Sequence, residues 1–376
     1  MFNRHKLPVT IVVALMLTLL MSITVASAQE AALGGSANFR DADALNDSLE
    51  IALTGVPAIS GSYEGWLVTN EGDKISLGWL TRTSHGTITA TYLSPSGEDL
   101  LATYVGFALS QEPTSYNSRC LCTVDPDPAT AGPILYSDRI PAEVESSVQL
   151  LVVGADSIAG KLRHQAQAAL DHALLAQASV SLADKQIHAQ SVANIINGAR
   201  RGPSAYLGAA GDNTGVIGHA EKAAVEGGIA QSAAGDDLSV AKIAAEVTAA
   251  ANNTIIAAGR ARDAALRVTA LGDSPNETVL RLELENVANL SRSALTGTDG
   301  DGDSITGNTG AEGGANTVYA MSQDLGQFKP QLGSDPLAPV TGDLWVPALA
   351  QFALFAGLLF TFGGGYMVFR QRRITA

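Results

Sequence analysis

The chain has 376 residues but only two cysteines, Cys120 and Cys122. A body of this size is therefore not held together by a disulfide framework, even in an oxidising compartment. Basic residues are also scarce, with 23 Lys and Arg against 37 Asp and Glu. Arg4, Lys6, Arg370, Arg372 and Arg373 belong to the two end segments, and every acid lies between those ends. So acidic a body has no basic footprint for phosphate, which excludes nucleic acid as a partner. Motifs of catalysis are missing too: there is no Glu-x-x-His, His-Glu-x-x-His, Cys-x-x-Cys-His or Gly-x-Ser-x-Gly. The expected function is non-enzymatic, without catalytic residues or an organic cofactor.

Two long apolar runs are present, one at each end. Residues 1–28 have a basic start, an apolar stretch from Val9 to Val25 and the small-x-small triplet Ala26-Ser27-Ala28, a pattern that predicts a signal peptide cleaved after Ala28. Residues 344–369 carry no charge, and as a helix of ~1.5 Å rise per residue they would span a ~30 Å hydrocarbon core. With the basic tail 370–376 behind it, this predicts a transmembrane helix whose Arg flank is cytoplasmic. Everything before it is then expected outside, anchored by the C-terminus to the membrane or cell wall. Pro339-Val340-Thr341-Gly342, the apolar span and the Arg cluster resemble a sortase cell-wall sorting signal, with Ala338 where the leading Leu stands. That resemblance implies cleavage between Thr341 and Gly342; the alternative is a permanent membrane anchor.

Between the ends the composition changes once. Residues 38–140 are rich in Tyr, Thr, Val, Leu, Gly and Pro, in short alternating runs separated by turns such as Asn70-Glu71-Gly72-Asp73. They predict an antiparallel β-sandwich burying Trp66, Leu77, Trp79 and Phe107. Residues 141–295 are Ala-rich, with Ile, Val and Leu at helical spacing, and predict a helical bundle; 296–343 reads as a Gly/Asp/Pro linker. The fold class expected is α+β multidomain: sandwich, bundle, then transmembrane helix.

Four segments of the β region carry a resemblance: Tyr63-Glu64-Gly65-Trp66-Leu67-Val68, Ile75-Ser76-Leu77-Gly78-Trp79-Leu80, Phe107 to Pro113, and Pro128 to Tyr136. In that order they resemble the extracytoplasmic domain of anti-sigma-K factors. The resemblance implies a sandwich fold and an exterior sensory or interaction module. The family's sigma-binding segment has no counterpart here, so sigma-factor inhibition does not carry over.

In the helical region, Ser274-Pro275-Asn276-Glu277 predicts a helix start capped by Ser274, and Ser181 with Asp184 predicts another. Ser191 to Ile195 and Asn286 to Leu290 look like a duplication, each followed by a Gly/Asn/Asp-rich loop and a fresh helical start, at Ile217 and at Thr317 to Met321. The second loop holds Asp299, Asp301 and Asp303, alternate carboxylates of the kind that converge on one Ca2+. In a standard calcium loop Gly310 would be the bidentate Glu, and Glu312 comes two positions late. His164, His172 and His188 offer a second metal set, as in bundle metalloproteins. Asp184 and His188, one turn apart, are expected to pair. Cys120 and Cys122, one residue apart, are expected to form a local disulfide, with pairing between chains or ligation of a soft metal as alternatives.

The function expected is thus that of an anchored extracytoplasmic binding or structural protein with a protein or envelope-polymer partner. The alternatives are an exterior sensory module of a membrane signalling system and a bundle metalloprotein.

Overall fold

The computed structural model describes residues 33–112, 132–198, 208–303, 305, 307 and 309–332. The leader 1–28, Cys120 and Cys122, Thr341 and Gly342, the apolar span 344–369 and the tail 370–376 lie outside the described residues. Among the described residues no helix is long and apolar enough to cross a membrane. The expected fold class of sandwich, bundle and transmembrane helix is corrected accordingly: the described residues are α+β, with two small sheets and eight helices, none of them a membrane span. These helices interleave charge with alanine, as in Lys242, Glu246, Arg260 and Asp263 of one of them, because each has one face on a protein core and another in water.

The strands are β1 (Gly34–Arg40), β2 (Ser48–Thr54), β3 (Ser62–Val68), β4 (Lys74–Leu80), β5 (Ile88–Leu93), β6 (Gly106–Glu112), β7 (Ile134–Arg139) and β8 (Gln331–Leu332). They form an antiparallel sheet of order β1-β2-β5 and another of order β4-β3-β6-β7-β8. Period-two alternation makes β2 a strand: Leu49, Ile51 and Leu53 point into the core while Glu50, Ala52 and Thr54 face water. The β3–β4 turn closes as the sequence predicts, with Thr69 N donating to Asp73 O. Trp66 and Phe107 are buried, but Trp79 is 46% exposed. It lies on the outward face of an edge strand, where no second layer among the described residues covers it.

A late stretch of chain joins the two sheets. Phe328 exchanges both backbone hydrogen bonds with Ala37 of β1, and three residues later β8 pairs with β7. On the opposite side an Arg82–Ile88 bridge ties β4's end to β5. The Phe328 ring packs edge-on to Phe39 of one sheet and stacks with Phe107 of the other, at centroid distances of 5.4 and 6.1 Å.

The helices are α1 (Leu100–Thr103), α2 (Ala142–Val152), α3 (Ile158–Ala178), α4 (Leu182–Asn197), α5 (Gly215–Ala233), α6 (Leu238–Thr269), α7 (Glu277–Thr296) and α8 (Ala315–Asp324). α6 carries the bundle: Ala244, Ala250, Ala251, Ala258, Ala261, Ala264 and Ala265 are buried along it, and their small side chains let neighbouring axes approach closely. Ser181 caps α4 as expected, accepting from Asp184 N at 3.0 Å. The cap of α7 falls two residues later than expected: Asn276, as good a cap as Ser, accepts from the amides of Thr278 and Val279.

Where the sequence reads as linker, α8 and the Phe328 segment are found instead. Ala315, Val318, Tyr319 and Ser322 recur at helical spacing, and that face is buried on α6, α3, α2 and β1. Tyr319 OH and Gln323 Nε2 both donate to Asp41 at 2.9 Å, and Gln323 also donates to the buried Asn46. Arg163 of α3 stacks 3.7 Å above the Tyr319 ring. Sheets and helices therefore share one continuous core, and the described residues belong to one compact unit.

Candidate calcium site

Two long loops leave and re-enter the bundle in the same way. α4 ends at Gly198 and α5 begins at Gly215; α7 ends at Gly297 and α8 follows Gly314, after an equal number of residues. Gly198 (φ 71°) and Gly297 (φ 88°) both lie in the left-handed region that favours glycine. In each loop the two flanking glycines touch backbone to backbone: a side chain on Gly198 would strike Gly215 N, and one on Gly314 would strike Gly297 N.

The second loop brings the predicted acids together. Oxygens of Asp299, Asp301 and Asp303 all lie within 4.8 Å of one another. Ligands of a Ca2+ bound at about 2.4 Å can be no more than about 4.8 Å apart, so one ion can reach all three. Each side chain is oriented by a loop amide: Asp299 accepts from Gly302 N, Asp301 from Asp303 N and Asp303 from Ile305 N, at 2.7–3.0 Å.

Glu312 lies beneath them. It is only 6% exposed, and its Oε1 accepts from the amides of Gly300 and Asp301 at 2.5 and 2.7 Å, inside the acid loop. Oε2 is buried and has no hydrogen-bond partner among the described residues. A buried carboxylate oxygen without a partner is costly, on the order of 1–3 kcal/mol or more.

The loop is also held from outside. Glu246 of α6 accepts from Gly310 N at 2.5 Å, and Asn253 donates to the carbonyls of Gly310 and Ala311. Thr317 of α8 donates to Gly307 O. Gly310 lies so close to the α6 backbone at Glu246 that no side chain fits, so the standard place for a bidentate Glu cannot be filled. Glu312 stands outside the group of three converging acids and braces their loop through the amides of Gly300 and Asp301. Template spacing had set that residue aside; its signal was being the next acid after the triad.

The histidine set comes together only in part. His172 Nδ1 of α3 and His188 Nδ1 of α4 are 3.1 Å apart, whereas His164 is exposed and joins no such group. Asp184 bonds to its cap Ser181 rather than to His188. Sequence reasoning missed a third feature. His219 is 4% exposed, and its Nε2 lies 2.6 Å from Asp212 Oδ2 in the first loop. Burial opposes ionisation of Asp212, but the amides of Gly215 and Thr214 and the His219 ring outweigh it and hold the carboxyl at about 2. The cue was Asp212-Asn-Thr-Gly215 opening a helix with His one turn on. In comparison with known proteins, no family model, no curated protein and no solved structure matches this chain.

Proposed function

We propose that this protein is a non-enzymatic extracytoplasmic binding or structural protein whose 298–313 loop takes up Ca2+. The observation that carries the calcium part is the buried, unpartnered Oε2 of Glu312 within a loop of three converging aspartates. A hard cation matches an all-oxygen set, and millimolar calcium outside cells matches the weak affinity of exposed sites, roughly 10⁻⁴–10⁻³ M. The leader-like residues 1–28 and the acid excess support the location. Calorimetric titration of the purified chain with CaCl2 tests the site: one ion bound, lost in Glu312→Gln and in Asp301→Asn, is expected. Equal binding by parent and Glu312→Gln would remove the reading. Protease added to intact cells tests the location; failure to cleave within 33–332 would place the body inside.

A second reading is an exterior sensory module. What favours it is that the described parts of the segments resembling the anti-sigma-K exterior domain include β3, β4, most of β6 and the start of β7, adjacent strands of the five-stranded sheet. Crosslinking in envelope fractions tests this reading, and a membrane protein partner is its expected outcome.

A further inference from the structure

α3 and α4 are antiparallel neighbours joined by the short turn at Ser179–Ser181, and they place His172 and His188 opposite each other. The two Nδ1 atoms are 3.1 Å apart, with ring centroids at 5.3 Å and planes tilted by 36°. Two imidazole nitrogens bound to one tetrahedral ion at about 2.0–2.1 Å would be separated by about 3.3 Å, so the pair needs only a few tenths of an ångström to admit a metal. Both rings are half-buried, enough to be held in place and still open to solvent. The carboxylates nearby are otherwise engaged: Asp171 accepts from Gln167, and Asp184 from Ser181.

We propose that His172 and His188 form a cross-helix two-nitrogen seat for a borderline divalent transition metal, of which Zn2+ is the representative, with water completing the shell. Imidazole nitrogen suits Zn2+, Ni2+ and Cu2+ and is a poor ligand for Ca2+, so this seat and the acid loop select different ions. The inference is independent of the calcium reading.

The test is a titration of the full chain with ZnCl2 in excess CaCl2, so that the carboxylate loop is already engaged. One zinc per chain is expected. His172→Ala and His188→Ala should each weaken it by about a hundredfold, since a second tethered ligand adds roughly 10²-fold or more. His164→Ala and Glu312→Gln should bind zinc like the parent. Because a truncated ring leaves a gap between the helices, His188→Gln serves as a second variant, with circular dichroism checking its fold. In the parent, the His172 and His188 imidazole NMR signals should shift together on zinc addition. If folded His172→Ala or His188→Gln binds zinc as tightly as the parent, or if those signals do not move, the pair is a shared-proton contact and the proposal fails.

Discussion

The loops after α4 and α7 have the same frame and different acids: one carboxylate is described in the first, and four in the second. In each, a left-handed glycine ends one helix and meets, backbone to backbone, the glycine that opens the next. In the described part of the first loop Asp212 has His219 and two amides as partners, and His219 Nδ1 is buried without a hydrogen-bond partner among the described residues. The second gathers three aspartates above a buried glutamate with one oxygen unmatched. The frame fixes where the loop returns to the bundle, and the residues between decide whether an outside ion is needed to balance it.

The largest expected effect breaks the frame itself. Gly198→Val and Gly297→Val should each cost about 3 kcal/mol or more in urea unfolding, because a β-branched residue at positive φ is strained and collides with the facing backbone. Similar losses at both positions would support one shared architecture, and a negligible loss at either would end the comparison.

Next comes the Asp212–His219 contact of the first loop. A carboxyl held at about 2 against 3.8 for its ordinary value contributes stability that is present above 3.8 and lost as pH falls toward 2. Asp212→Asn should remove on the order of 1–2 kcal/mol at pH 7, solvent screening taking part of the full effect, and should flatten the stability profile between pH 4 and 2. Denaturant midpoints across that range are the measurement. Calcium binding should be unchanged.

A smaller effect sharpens the contrast. Calcium at ten times its dissociation constant should stabilise the parent by about 1.4 kcal/mol and Asp212→Asn equally, while Glu312→Gln should show no calcium-dependent shift in thermal unfolding. The smallest is Asn253→Ala, which removes two bonds to the loop from α6. It should weaken calcium binding by a few-fold and leave zinc binding alone, as read by the same titrations.

How much of this was legible depends on distance along the chain. β2 and β3, the Ser181 cap and the buried faces of the helices are local patterns, and alternation or helical spacing reveals them. The Asp299–Asp303 triad is local as well. Glu312 comes two positions late for a standard calcium loop, and only the packing of Gly310 on α6 shows why no side chain stands at the standard position. His172 and His188 meet through the register of two antiparallel helices, which neither helix alone encodes. The α8 segment was obscured by its Gly- and Asn-rich surroundings, and its burial depends on four elements far away in sequence.

Phe328 makes completion of the fold depend on timing. A ribosome finishes β7 long before it reaches the residues that fill the space between Phe39 and Phe107. At roughly 5–20 residues per second, the unfinished sandwich waits on the order of ten seconds or more with an oily slot and two unpaired strand edges. A chain stopped before α8 would keep that slot open permanently, so a fragment made of the first seven strands is a sticky intermediate and not a domain that can be excised.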